Sequence, residues 1–374
     1  MKKARLIVAA SETCADLLYA SGFMAPDPFI WLQVEGLEPM IVINTLEYDR
    51  AVEQCRRGLA VVNRETFFSE GEGDKTTENL LVEITSHHGI DEVENPRDFP
   101  VFYADAMREV GVRTVCAGAG FFPERACKND DEIEAITAGL RAAEAAERRV
   151  AAILSEAPVN PDGTMTWDGE PLTSERMRFE VAVILLRHGG VAASTIVAGG
   201  AQGAQPHNAG SGPLYAGQPI VTDIFPRMTQ NGYWGDITRT FVKGKAPKIV
   251  KQAFEAVRAA RDEAKQMIRA GVKACEVHNL AALIMKDRGF PTGRNEKGDY
   301  GFIHSLGHGV GLEIHEYPRL SRFNDQPLEA GQVITVEPGL YYPEWGGIRI
   351  EDMVVVEKNG CRCLNDIDTF LEIK

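Results

Sequence analysis

The chain has 374 residues, 44% of them hydrophobic and 25% charged, which excludes a collagen-like or largely disordered protein and leaves room for two cores. Lys+Arg 40 against Asp+Glu 54 gives a net charge of −14, and such a surface repels phosphate backbones. Nucleic acid and anionic membranes are therefore set aside as main partners. The seven cysteines, an odd number, read as reduced thiols, Cys361 and Cys363 included, and the expected location is cytoplasmic.

The opening MKKARLIVAASET has an apolar stretch of only Leu6–Ala10 and no small-residue cleavage pattern, so it reads as a strand, Arg5–Ala9, rather than a signal peptide. Ser11–Ser21 follows as a helix capped by Ser11 and stopped by Gly22. Phe29–Val34 and Met40–Asn44 are apolar strands around a Gly36 turn, Ser69–Lys75 an exposed loop, Glu78–His88 a helix and Arg113–Cys116 a strand. The pair His87-His88 reads as a helix end. This is an α/β pattern.

The texture changes near residue 126. A long helix begins at Asn129–Asp131 and runs to about Glu156, with Glu144–Arg149 expected as a solvated face. Helices at Ser174–His188, Pro247–Ala270 and Ala274–Arg288 follow, each expected to stop at a glycine. Strands are expected at Pro219–Ile224, Tyr233–Val242, Val333–Glu337 and Gly347–Val356. The expected fold class is an α/β N-terminal domain, 1–126, and an α+β C-terminal domain, 127–374. There is no short-period repeat, no low-complexity tract and no apolar run of membrane-span length. The glycines of AGGAQGAQPHNAGSG lack dinucleotide spacing and are expected to let the chain pass close to substrate.

The placement of the acids is more informative. Asp223 ends an apolar strand, and Asp236 lies thirteen positions on, so a hairpin across Phe225–Gly232 brings both together. Glu337 ends the strand VITVE. In GIRIED, Ile348 and Ile350 face one side, leaving Arg349 and Glu351 on the other. Four acids on buried strands repel one another unless cations neutralise them. Three of the eight histidines, His304, His308 and His315, fall within HSLGHGVGLEIH, where glycines 307, 309 and 311 permit close approach. Carboxylates with one or two imidazoles favour manganese, cobalt or iron at least as much as zinc, and two ions rather than one.

The motifs GYWGDITRTF, HSLGHGVGLEIHEYP, VITVEPGLYY and GIRIED, in this order, resemble the pita-bread metallopeptidases: methionine and Xaa-Pro aminopeptidases, prolidases and creatinase. ADLLYASG and EYDRA resemble, more weakly, the creatinase/prolidase N-terminal domain, and two domains point to the proline-specific branch. The resemblance implies two divalent ions, with manganese expected and cobalt, zinc or iron able to take the same ligands. Asp223 would bind one ion, Asp236 and Glu351 bridge both, and His308 with Glu337 complete the second. His207 in GAQPHNAG matches an active-site histidine, His304 and His315 match substrate-contacting ones, and Arg349 matches an arginine supporting the bridging ligands. The step from Asp223 to Asp236 is longer than usual in the family, which makes Asp223 sensitive to a register shift.

The expected reaction is hydrolysis of the bond between an N-terminal residue and proline, by an Xaa-Pro aminopeptidase or dipeptidase acting as a homodimer. The ions would lower the pKa of water and polarise the scissile carbonyl. Glu337 would move the water's proton to the prolyl nitrogen, and His207 or His315 would donate to the oxyanion. The alternatives are a metal-independent creatinase-like C–N hydrolase and a catalytically silent binding protein on the same fold.

Overall fold

The N-terminal strands Phe29–Val34 and Met40–Ile43 are apolar at nearly every position because both faces of their sheet are covered. Along Lys3–Ala9, residues Ala4, Leu6 and Val8 enter one core with Ile30, Leu32 and Val34, while Ile7 joins Phe29, Trp31 and Ile41 in the other. The computed structural model describes residues 1–68, 75–118, 120–296 and 298–374, and divides into two compact units, Met1–Arg125 and Ala126–Lys374. All but Lys75 of the expected loop Ser69–Lys75 lies outside the described residues.

The first unit is a mixed six-stranded sheet in the order Ala60–Asn63, Met40–Ile43, Phe29–Val34, Lys3–Ala9, Glu92–Asn95, Arg113–Cys116. Its first helix is Ala15–Ser21, shorter than expected. Ser11 does not cap it: the buried Ser11 hydroxyl accepts the Ala25 N–H at 2.8 Å and closes a loop instead. The helix Thr45–Gln54 has no counterpart in the sequence reading. It buries only Ala51, and its start is marked by the Asn44 side chain capping the Glu47 N–H. His87 and His88 occupy the last turn of Thr77–His88.

In the second unit, Asn129 forms a reciprocal capping box with Glu132 and starts the helix Asp130–Glu156. Ser174–Arg187 packs beside it, and Lys248–Met267 pairs with Ala274–Asp287. Lys248–Met267 ends before its expected stop, with Ile268 already extended and Gly271 turning the chain beyond it. A four-stranded sheet runs in the order Ile196–Gly199, Ile220–Ile224, Ile237–Lys243, Glu372–Ile373. A five-stranded sheet runs Glu316–Leu320, Gly307–Gly309, Val333–Val336, Asp352–Glu357, Gly360–Cys363.

Two expected strands differ. Residues 233–236 precede Ile237–Lys243 without joining its ladder. The expected strand Gly347–Val356 is two: Gly346–Arg349 pairs with Gly339–Tyr342, and Asp352–Glu357 pairs with Val333–Val336. The chain changes partner at residues 350–351. All seven cysteines are free, and among the described residues no helix is long and apolar enough to cross a membrane.

Candidate metal centre

In the antiparallel ladder Asp223 stands opposite Thr238, and Thr222 opposite Arg239. Alternation sends Asp223 and Thr238 to one face of this hairpin and Thr222 and Arg239 to the other. The register does not slip. Pro226–Met228, within the long connection, pairs as a short ribbon with Gly190–Ala192. The connection returns to the ladder across the long helix at Gly235, where a Cβ would lie 2.1 Å from the backbone carbon of Gly139. The two glycines let backbone touch backbone one residue before Asp236.

The partner change at 350–351 aims Glu351. Ile348 and Ile350 enter the core, while Arg349 and Glu351 turn the other way. The Thr238 hydroxyl donates to Glu351 Oε2 at 2.7 Å and accepts from Arg349 Nε at 3.1 Å. Arg349 Nη2 donates to Asp223 Oδ2 at 2.6 Å, and Nη1 to the Tyr341 hydroxyl at 2.9 Å. Tyr341 in turn lies 2.9 Å from His304 Nε2, whose ring donates through Nδ1 to the Ser305 carbonyl at 2.7 Å. His308, on Gly307–Gly309, donates through Nδ1 to the Gly309 carbonyl at 3.1 Å. That bond orients Nε2 toward Glu337 Oε1 at 3.1 Å and Asp236 Oδ2 at 3.7 Å.

His207, Asp223, Asp236, His304, His308, His315, Glu337, Arg349 and Glu351 all line one cavity of about 370 Å³, so the structure brings together every site residue named from the sequence. Ile196, Phe225 and Ile314 form apolar parts of the wall, and Arg319 adds a cation.

Burial raises Asp223, Asp236 and Glu351 above the ordinary carboxylate range, and neighbouring acids push in the same direction. Burial acts on Glu337 too, but the hydrogen bond and charge of His308, with His304 and Arg349, outweigh it and take Glu337 down to about 2. Burial, with the charges of His308 and Arg319, lowers His315 to about 4, and burial is also the main cause of the lowering at His304. Gathering these acids in one buried cavity is unfavourable unless they are protonated or share a cation. Glu351 Oε1 is buried without a hydrogen-bond partner. Ligand atoms of Asp236, His308 and Glu351 lie within 4.8 Å of one another, close enough to share one cation. The donor set fits a divalent metal.

One expectation needs correction. The Glu144–Arg149 stretch is not a solvated face. Glu144 and Glu147 are fully buried, Glu144 accepting from Arg141 and from the Asp366 N–H, and Glu147 lying 2.8 Å from the Thr222 hydroxyl. The AGGAQGAQPHNAGSG glycines make close backbone crossings: a Cβ at Gly210 would meet the Val197 carbonyl at 1.9 Å, and Gly203 packs on Gly347. Thr238, Tyr341 and Arg319 were missed as part of the site. Thr238 and Tyr341 lie inside quoted motifs, and same-face alternation with Asp236 would have exposed Thr238.

Residues 133–358 match the model of metallopeptidase family M24. A protein named Xaa-Pro dipeptidase from Pyrococcus furiosus is 33% identical over 345 residues, 89% of this chain and 86% of its own length. The solved prolidase from Pyrococcus furiosus superposes with a TM-score of 0.80 at 26% identity, over 98% of this chain and 96% of that one. An X-Pro aminopeptidase from Thermotoga maritima superposes with a TM-score of 0.82 at 25% identity, over 100% and 97% of the two chains. With the family model matching more than half of the chain, a relative 33% identical over most of both lengths, and an N-terminal α/β domain before a pita-bread domain, the chain belongs to metallopeptidase family M24.

Proposed function

We propose that this metallopeptidase hydrolyses the bond between an N-terminal residue and proline, with a dipeptide as its preferred substrate. The observation that carries the reading is the convergence of four acids and His308 on one cavity where Glu351 Oε1 has no protein partner. Asp223, Asp236, His308, Glu337 and Glu351 would hold two ions, manganese the expected metal. Bound there, the metal supplies an activated water and Lewis acidity toward the scissile carbonyl.

The remaining work falls to the chain. Glu337 lines the cavity beside His308, its carboxyl held low by the His308 hydrogen bond and nearby cations, and is the group to take the water's proton and pass it to the prolyl nitrogen. His315, its pKa lowered to about 4, is neutral at pH 7 and keeps an N–H for the oxyanion, a role open to His207 as well. Arg349 fixes Asp223 and, through Tyr341, the ring of His304. A prolyl amide has no N–H, so a site for it needs no acceptor at that point. Arg319 borders the cavity and forms no ion pair among the described residues, which suits the free carboxylate of a dipeptide. Two relatives named Xaa-Pro dipeptidase support the same choice.

The assembly proposed is a homodimer. The cytoplasm is the proposed compartment, since seven free thiols suit a reducing environment. Glu351→Gln tests the reading: it should lose tightly bound metal and turnover together while keeping its circular dichroism spectrum. Full turnover with metal still bound would contradict the role given to Glu351, and full turnover in chelator would favour the creatinase-like alternative.

A further inference from the structure

A strand that leaves its sheet strands backbone carbonyls that must find donors elsewhere. Glu351 sits where the chain changes partners, and its carbonyl accepts from Arg239 Nη1 at 2.5 Å. The same nitrogen donates to the Thr238 carbonyl at 3.0 Å, which also takes the Glu351 N–H at 3.1 Å. Arg239 Nη2 donates to Asp352 Oδ1 at 3.1 Å. The other Asp352 oxygen is held by Lys265 at 2.6 Å and Arg261 at 3.4 Å. Arg239 is 1% exposed and sits on the face of the hairpin opposite Asp223 and Thr238, away from the cavity.

We propose that Arg239 is a positioning residue for the metal centre. One guanidinium nitrogen bridges the carbonyls of Thr238 and Glu351 and so fastens together the two segments from which Asp236 and Glu351 reach the cavity. The inference rests on the metal-centre reading above and concerns how that centre is held in place before any substrate arrives. The task suits arginine. Its planar fork serves two carbonyls and a carboxylate at once, whereas a lysine ammonium is a single point charge on a flexible stem. Asp352 compensates the buried charge and fixes the plane of the fork, and Lys265 and Arg261 hold Asp352 in turn. Removing the bridge frees the Glu351 carbonyl and lets the carboxylate that Thr238 steadies drift from Asp236 and His308.

The test is calorimetric titration of Mn²⁺ into metal-stripped wild-type, Arg239→Lys and Asp352→Asn proteins, with circular dichroism and thermal melts, followed by kcat and KM on Ala-Pro. Arg239→Lys should keep the wild-type spectrum and bind Mn²⁺ about ten- to hundredfold more weakly, the range typical of groups that orient metal ligands. At saturating metal its kcat should fall, with KM changed by no more than about twofold, because the arginine touches no substrate. Wild-type Mn²⁺ affinity and kcat in Arg239→Lys would overturn the proposal, whatever happened to its melting temperature. Should Arg239→Lys fail to fold, Asp352→Asn decides: weakened Mn²⁺ binding by a folded protein supports the proposal, and wild-type binding overturns it. Wild-type protein that takes up no Mn²⁺ would contradict the metal-centre reading and the proposal with it, and the same titration identifies that outcome.

Discussion

Glu147 lies in the charged run EAAERR, on a helix, yet it is fully buried against the Thr222 hydroxyl and its carboxyl is pushed up to about 8, burial being the main cause. It therefore binds its proton more tightly folded than unfolded. Its contribution to stability is complete below the unfolded value, shrinks as pH rises through that value and is lost as pH passes the folded one. Glu147→Gln keeps an acceptor for Thr222 and removes the titration. We expect it to be more stable than wild type by roughly 1–3 kcal/mol at pH 8, with the gap closing by pH 4.5, as read from urea unfolding at both values. A variant equally destabilised at both would show that the ionisable group is needed for packing rather than tolerated.

The contrast with the proposed metal-binding acids explains what residue-level reading of the sequence captures. Asp223, Asp236, Glu337 and Glu351 were legible because each interrupts or ends an apolar strand, a placement that demands a reason. Glu144 and Glu147 were not, because a helix face shows its burial only through the elements packed on it, here Thr222 and the backbone at Asp366. Arg319 carries no local signal: it is one basic residue among many until the fold turns it toward the cavity.

At the scale of elements, the metal hairpin depends on one crossing. A Cβ added at Gly235 would lie 2.1 Å from backbone carbon of Gly139, and one at Gly139 would lie 2.7 Å from the Gly235 nitrogen. Both contacts are with backbone, so no side chain can swing aside. Gly235→Ala should destabilise the protein by about 2–3 kcal/mol, an overpacking loss, and weaken metal binding because Asp236 is the next residue. Urea unfolding and Mn²⁺ titration check both effects; a loss under about 0.5 kcal/mol would mean the helix and the connection separate more easily than this packing implies. The cores of most strands were readable from apolar runs or alternation, and the long helix from its acidic first turn. The ends of Ile237–Lys243 and the break at 350–351 were not, since both follow from which neighbour supplies hydrogen bonds. The strand break is also what lets Glu351 and Arg349 share a cavity while Ile348 and Ile350 fill the core.

At the scale of the whole molecule, the five proposed ligands come from stretches spread between Asp223 and Glu351, all within the second unit, Ala126–Lys374. Order and spacing in the sequence were sufficient to point to the family, and the family match spans residues 133–358 of that unit. The division of labour between the two units is less legible, because the N-terminal sheet, buried on both faces, is built from apolar runs common to many α/β domains. The central claim is metal-dependent cleavage before proline, and the most direct measurement is product release from Ala-Pro and Ala-Pro-Ala by Mn²⁺-loaded protein, with a chelated control. The account predicts cleavage of Ala-Pro only with metal, and a lower kcat/KM on Ala-Pro-Ala, whose carboxylate lies one residue beyond the reach given to Arg319. Absence of cleavage of either peptide by protein with Mn²⁺ demonstrably bound, or equal turnover in the chelated control, would contradict it.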